Sequence, residues 1–111
     1  MAKAKTKAVK ILREYLKDLE TVCHVDKAIM FGSYAAGMAG RHSDIDIAIF
    51  SRNVDKKNRL AILSKAIMLI DRFKTDIQPI IFSYNDYLSN DNDFIVEQIK
   101  KKGIEIKIVS K

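Results

Sequence analysis

Residues 32–46 read GSYAAGMAGRHSDID, and this stretch organises the rest of the chain. Its first residue closes the short apolar run 27–32 (KAIMFG), which predicts a buried strand. Its last residues open a second predicted strand, 44–50 (DIDIAIF), in which Asp44 and Asp46 share one face and the isoleucines share the other. The stretch is therefore expected to bring a glycine–serine turn close to two carboxylates on neighbouring strands.

The paired carboxylates of Asp44 and Asp46 are unusual for a purely structural strand. Like charges two residues apart repel each other and gain nothing from burial. A divalent cation removes this repulsion, and Mg²⁺ characteristically takes one or two carboxylates together with substrate phosphates. The pair therefore predicts a Mg²⁺ or Mn²⁺ site. The alternative is a turn aspartate followed by a surface strand residue.

Gly32 and Ser33 form a candidate phosphate site. Glycine lets a phosphate approach the backbone closely. A short helix is expected to follow, and its first amides could bind the anion together with the serine hydroxyl. The alternative is a simple turn that ends the strand. A phosphate cradle beside two metal ligands is typical of phosphoryl-type transfer from a nucleoside triphosphate.

The spacing G-S-(ten residues)-D-x-D resembles the signature of the polymerase-β-type nucleotidyltransferase superfamily. Size and element order resemble its minimal branch, MNT, over roughly residues 25–85. The resemblance implies Mg²⁺- or Mn²⁺-dependent transfer of a nucleoside monophosphate, AMP from ATP, to a hydroxyl acceptor. It also implies that Gly32 and Ser33 bind the nucleotide, and that Asp44 and Asp46 are catalytic metal ligands.

The resemblance further implies a third catalytic and metal-binding carboxylate on a later strand, and the matching position is Asp76. Asp76 could instead be a polar residue that opens an edge strand, and Gln78 is a rival on the same face, although an amide is a poor magnesium ligand. One departure is visible at Ala36, where many family members have arginine. Whether Arg41 replaces that arginine stays open at this point.

The remaining elements are predicted from hydrophobic periodicity. The first expected helix is 6–20, with the apolar residues Val9, Leu12, Leu16 and Leu19. The second is 56–73, with the apolar residues Leu60, Leu63, Ile67 and Ile70. The third is 93–102, closed by Gly103. Asn53 or Asp55 is expected to cap the second helix. The expected later strands are 76–82 and 104–109. Pro79 has no amide proton to donate, so it predicts an edge position or a bulge for its strand.

The chain has 111 residues, the size of one domain, and its 48% hydrophobic and 31% charged residues are typical of a globular protein. We therefore predict a single domain over residues 1–111. The fold class is α/β (α+β), a small mixed sheet flanked by helices with a polymerase-β-like nucleotidyltransferase fold. No apolar run suggests a membrane segment, so a cytoplasmic location is expected. Cys23 is the only cysteine, so no intrachain disulfide can form.

The chain leaves no room for a second domain that would bind an acceptor. MNT proteins resembling this one are commonly paired with a separate HEPN protein, in a toxin–antitoxin pair or in a two-subunit transferase. Two alternatives stay open. One is a non-catalytic MNT-like module that neutralises its partner by contact. The other is a nucleic-acid adaptor, since residues 1–17 carry six basic side chains and one acidic one. The net charge of +6 is compatible with nucleic-acid binding but does not require it.

Overall fold

The computed structural model describes residues 2–40 and 43–108 of the chain. Its elements are, in chain order, helix α1 (Ala2–Leu19), strands β1 (Lys27–Phe31) and β2 (Ile45–Ser51), helix α2 (Arg59–Met68), strand β3 (Ile77–Ser83), helix α3 (Tyr84–Leu88), a last helix (Ile95–Lys100) and strand β4 (Ile104–Glu105). Within the described residues, none of the helices combines the length and the apolar character that a membrane crossing needs.

The strands form one mixed sheet in the order β3-β2-β1-β4. Strand β1 is antiparallel to both β2 and β4, whereas β2 and β3 are parallel. This arrangement confirms the predicted mixed sheet flanked by helices. It also confirms the reading of Pro79, because β3 is an edge strand and its proline needs to donate no hydrogen bond on the open side.

The alternation in β2 separates two hydrophobic cores on opposite faces of the sheet. Ile45, Ile47 and Ile49 pack into a cluster that contains the buried leucines of α1. Ala48 and Phe50 point the other way, into a cluster with the buried isoleucines of the last helix. Because side chains alternate along a strand, Asp46 shares the face of Ala48, which is the face that the last helix covers.

Helix α2 differs from its prediction in both length and orientation. Its buried residues are Ile62 and Ala66, whereas Leu60 is 78% exposed and Ile67 is 52% exposed. The predicted stripe is therefore wrong for Leu60 and Ile67, whereas its other two residues, Leu63 and Ile70, are partly buried against the core. Leu60 lies two residues before Ile62, about 200° around the helix axis at 3.6 residues per turn, so the two cannot face the same core.

The start of α2 is set by a turn rather than by a simple cap. The Asp55 carboxylate accepts hydrogen bonds from the backbone N–H groups of Lys57 (2.8 Å) and Asn58 (2.9 Å). These bonds hold residues 56–58 in a turn, and the helix begins only at Arg59. At the other end, residues 71–73 form a separate 3₁₀ turn. The predicted span of 56–73 was therefore too long at both ends.

Two further predictions need correction, and one helix was not predicted. Residues 32–37 form turns instead of a short helix, and strand β4 ends at Glu105, although Ile106 still donates to the Ala28 carbonyl at 2.8 Å. Residue 109 of the predicted strand lies outside the described residues. Helix α3 was not predicted, although the Ser83-x-x-Asp86 capping box that starts it was visible in the sequence.

Candidate active site

Gly32 connects the end of β1 to the predicted metal ligands. Phe31, the last residue of β1, is the antiparallel partner of Asp46 in β2. Gly32 has φ +77°, and a Cβ placed on it would collide with Asp46 Oδ2 and lie 3.2 Å from Asp46 Cγ. Only glycine can therefore combine this backbone conformation with so close an approach to the carboxylate. The structure thus brings the glycine–serine turn and Asp46 into contact.

Asp44 and Asp46 flank the fully buried Ile45 at the start of β2, with Asp44 exposed and Asp46 half-buried. Burial raises the pKa of the Asp46 carboxyl, and the negative charge of Asp44 raises it further. Among the described residues, neither carboxylate forms an ion pair with a lysine, arginine or histidine. Two unneutralised oxygen donors that repel each other are the donor set that a hard divalent cation fits.

Asp76 lies one residue before β3, on the edge of the sheet next to Asp44. Its carbonyl accepts a hydrogen bond from the Ile45 amide at 2.8 Å, and the parallel register then pairs Ile45 with Ile77 and Asp46 with Gln78. The register thus brings Asp76 beside Asp44 and the exposed Gln78 beside Asp46. In the described part of the chain, however, no three His, Cys, Asp or Glu side chains are arranged closely enough to hold a metal by themselves.

The turn after Gly32 leaves a run of backbone donors available. The amide of Ala36 donates to the Gly32 carbonyl (3.1 Å) and that of Met38 donates to the Ser33 carbonyl (2.9 Å). Between them, the three amides from Ser33 to Ala35 donate to no acceptor within residues 2–40 and 43–108. Consecutive free N–H groups in a tight turn form an anion-binding concavity. The candidate phosphate site is therefore a turn with free amides, and the helix start that the sequence predicted there is absent from residues 32–37.

Other residues near the turn have more limited roles. Tyr34 packs against the core cluster on the α1 side, which favours packing over contact with a base. Ala36 is exposed and offers only a methyl group where many family members carry arginine. Arg41, the candidate replacement, and the neighbouring His42 lie outside the described residues.

A cavity of about 410 Å³ opens directly beside the glycine–serine turn. One wall is formed by the turn itself, and the other by the end of the last helix; its lining residues are Gly32, Ser33, Ala36, Met38, Gln98 and Lys102. Its size is in the range of small-molecule sites. Sequence reasoning missed the second wall, because it treated residues 93–102 only as a helix closed by Gly103. No local signal links Lys102 to a turn about 70 residues earlier.

Comparison with known proteins is consistent with this geometry. A Methanocaldococcus jannaschii protein provisionally named protein adenylyltransferase is 27% identical over 101 residues, which cover 88% of this chain and 97% of that protein. A solved Sulfolobus solfataricus structure, provisionally named a nucleotidyltransferase, aligns with a TM-score of 0.64 at 17% identity, covering 94% of this chain and 83% of that one.

A chain in the structure of a tri-AMPylated Shewanella oneidensis HEPN toxin in complex with MNT antitoxin aligns with a TM-score of 0.52 at 16% identity. The alignment covers 95% of this chain and 73% of that chain. These structural similarities show a shared fold. The model of the nucleotidyltransferase domain family matches residues 9–108, which include the glycine–serine turn and the aspartates at its far end. The chain therefore belongs to the nucleotidyltransferase domain family and is a nucleotidyltransferase.

Proposed function

We propose that this nucleotidyltransferase transfers AMP from ATP to a hydroxyl group on a HEPN-type partner protein. In this reaction the acceptor oxygen bonds to the α-phosphorus, the bond from the α-phosphorus to the bridging oxygen breaks, and pyrophosphate leaves. The acceptor hydroxyl gives up its proton. The proposal rests on the contact between the Gly32 backbone and the Asp46 carboxylate, because the candidate phosphate site and the candidate metal-ligand site meet there.

In this proposal Asp44 and Asp46 hold Mg²⁺ or Mn²⁺, which neutralises the triphosphate and fixes its in-line geometry when bound. Gly32, Ser33 and the free amides of the turn hold the phosphates. Asp76 is the third carboxylate, which serves a second metal position and assists removal of the acceptor proton. Its position beside Asp44 in the β2–β3 register supports this role.

A separate acceptor protein is favoured by the architecture. The helices of the described chain pack against the two faces of one small sheet, so none of them forms a private acceptor domain. The M. jannaschii relative carries an adenylyltransferase name, and the Shewanella complex contains an AMPylated HEPN toxin. By analogy, this chain would be the antitoxin of a toxin–antitoxin pair, with a serine, threonine or tyrosine hydroxyl of the partner as acceptor.

The second candidate is a non-catalytic module that neutralises the same partner by contact. Ala36 favours it, because the turn lacks the cation that many family members have there. Asp44 and Asp46, which form no ion pair with any residue that the structure describes, favour catalysis, since contact alone would not need them. The two candidates differ in a single observable, which is covalent AMP on the partner.

The experiment combines the chain with the product of its genomic neighbour, ATP and Mg²⁺, and weighs the neighbour by mass spectrometry. We expect an added mass of one or more AMP units. Asp44→Asn should abolish it, because an amide oxygen is a weaker ligand than a carboxylate for a hard cation. Asp76→Asn should spare ATP binding yet suppress transfer.

Glu14→Gln is the matched control, because it also converts a carboxylate to an amide but removes only an exposed contact with Lys17 at 3.5 Å. It should transfer AMP like the unmodified protein. A stable complex without any added AMP would contradict transfer and favour the binding module. Unchanged transfer by Asp44→Asn would contradict the metal assignment.

A further inference from the structure

The last helix contributes one side of the cavity at the glycine–serine turn. Gln98 lies in that helix and Lys102 lies two residues beyond its last residue, and both line the cavity. The opposite wall consists of residues from the turn, including Gly32, Ser33 and Ala36. A ligand seated on the turn would therefore face side chains that come from the far end of the chain.

The position of the helix end is fixed by the core. Ile95 and Ile99 are fully buried under the sheet face that carries Asp46. Gly103 packs so tightly against β1 that an added Cβ would collide with a side-chain carbon of Ile29 and would lie 3.0 Å from the Met30 carbonyl oxygen. Because Met30 is two residues from Gly32, this contact holds Lys102 close to the turn.

Three consecutive lysines occupy the last position of the helix and the two positions after it, and their side chains are engaged differently. Lys100 donates to the Tyr87 carbonyl at 2.8 Å and to Asn90 Oδ1 at 3.1 Å. Lys101 pairs with Glu97 at 3.0 Å. Lys102 is exposed at the cavity, and among the described residues no carboxylate lies within 4.0 Å of its ammonium group. Of the three, Lys102 alone is available to a ligand in the cavity.

The cavity also needs a positive charge if a triphosphate is to occupy it. The turn supplies a hydroxyl and backbone amides, but Ala36 supplies no charge, and the nearby Asp44 and Asp46 repel phosphates. Of the described residues that line the cavity, only Lys102 is cationic. A lysine ammonium acts on phosphate as a compact point charge with three donors, and it can reach its target along a flexible stem.

We propose that Lys102 binds the phosphate oxygens of the nucleotide at the Gly32–Ser33 turn and supplies the cation that the turn lacks at Ala36. Gln98 lies beside it as a neutral donor. The inference rests on the proposed function, because it assumes that the cavity receives a nucleoside triphosphate. It makes the end of the last helix part of the nucleotide site.

The test is isothermal titration calorimetry in Mg²⁺ with two probes, ATP and inorganic tripolyphosphate. Lys102→Met should raise the Kd of both about 10- to 100-fold, the range for loss of a hydrogen bond between charged groups. Lys102→Arg should restore most of the affinity. Lys101→Met is the matched control, since it changes an adjacent exposed lysine that pairs with Glu97, and it should bind both probes like the unmodified protein.

The outcomes separate this inference from the proposed function. Unchanged affinity in Lys102→Met, or equal weakening in Lys101→Met, overturns the role of Lys102 while ATP binding by the unmodified protein stands. Weaker ATP binding with unchanged tripolyphosphate binding also overturns it, because the contact would then be to the nucleoside. If the unmodified protein binds neither probe, the proposed function fails and the inference fails with it. Thermal denaturation checks that each variant is folded.

Discussion

At the scale of single residues, Gly32 meets two requirements that no other residue type meets together. Its φ of +77° lies in the left-handed region, and its α-carbon lies against the Asp46 carboxylate. Gly37 has nearly the same φ, +74°, but a Cβ there would have no atom of residues 2–40 or 43–108 within 4 Å. A comparison of substitutions at the two glycines therefore separates the effect of the positive φ from the effect of close approach to the Asp46 carboxylate.

We predict that Gly32→Ala and Gly37→Ala each lose about 1–2 kcal/mol of unfolding free energy through the positive φ. Only Gly32→Ala should also weaken ATP binding, by tenfold or more, because its methyl group would displace the Asp46 carboxylate and block the phosphate. Chemical denaturation and calorimetry in Mg²⁺ measure the two effects. Equal ATP affinities in the two variants would show that close approach at Gly32 does not matter for binding.

At the scale of elements, the last helix is positioned by one tight contact. The sequence predicts Gly103 as a glycine that terminates a helix in the left-handed conformation. Its φ is not positive, and its amide donates to the Ile99 carbonyl at 2.9 Å. The absence of a side chain is required because an added Cβ would collide both with the Ile99 carbonyl oxygen of the helix and with a side-chain carbon of Ile29 in β1. A residue that was read as a local signal is therefore a tertiary contact as well.

We predict that Gly103→Ala lowers the unfolding free energy by about 1–3 kcal/mol, because the added methyl group meets backbone atoms that cannot move aside without shifting the strand or the helix. Gly40→Ala is the control, since the one contact that its Cβ would make with the described part of the chain is Ser43 Oγ at an ordinary 3.9 Å. It should stay within about 0.5 kcal/mol of the unmodified protein. Urea denaturation of the two variants measures both unfolding free energies. Equal values would mean that the end of the last helix is loosely packed.

At the scale of the whole molecule, the two ends of the sheet have different roles. The candidate active site lies where β1 ends and where β2 and β3 begin. At the opposite end, Asp26 joins the start of β1 to the residues after β2. Its side chain is only 6% exposed and accepts hydrogen bonds from the Arg52 amide at 2.7 Å and from Arg52 Nη2 at 2.6 Å. These bonds lower the pKa of the Asp26 carboxyl below its usual value.

A lowered folded-state pKa has a definite consequence for acid stability. The ionised Asp26 stabilises the fold at pH values above the unfolded pKa of about 3.9, and this contribution is lost as the pH falls through the lower folded pKa. We predict that Asp26→Asn costs about 1–3 kcal/mol at pH 7, the range for a hydrogen bond with a charged group. The difference from the unmodified protein should shrink toward about pH 3.

The measurement is urea denaturation at several pH values, with Glu14→Gln as an exposed carboxylate control. Glu14→Gln should change little at any pH, because exposed ion pairs contribute about 0–1 kcal/mol. A difference between Asp26→Asn and the unmodified protein that stays constant from pH 7 to about pH 3 would contradict the ionic role of Asp26.

The sequence by itself determined the three longer strands and the family of this protein, because both depend on local patterns. Alternation in DIDIAIF specified which side chains of β2 enter which core, Pro79 specified an edge strand, and the spacing from Gly32 to Asp46 specified the family. Only the tertiary structure decided which side of α2 is buried, that Gly103 also packs against β1, and that Lys102 lies at the turn. These features depend on contacts between residues far apart in the chain. In α2, moreover, apolar residues occur on both sides of the helix, so periodicity alone could not identify the side that packs against the core.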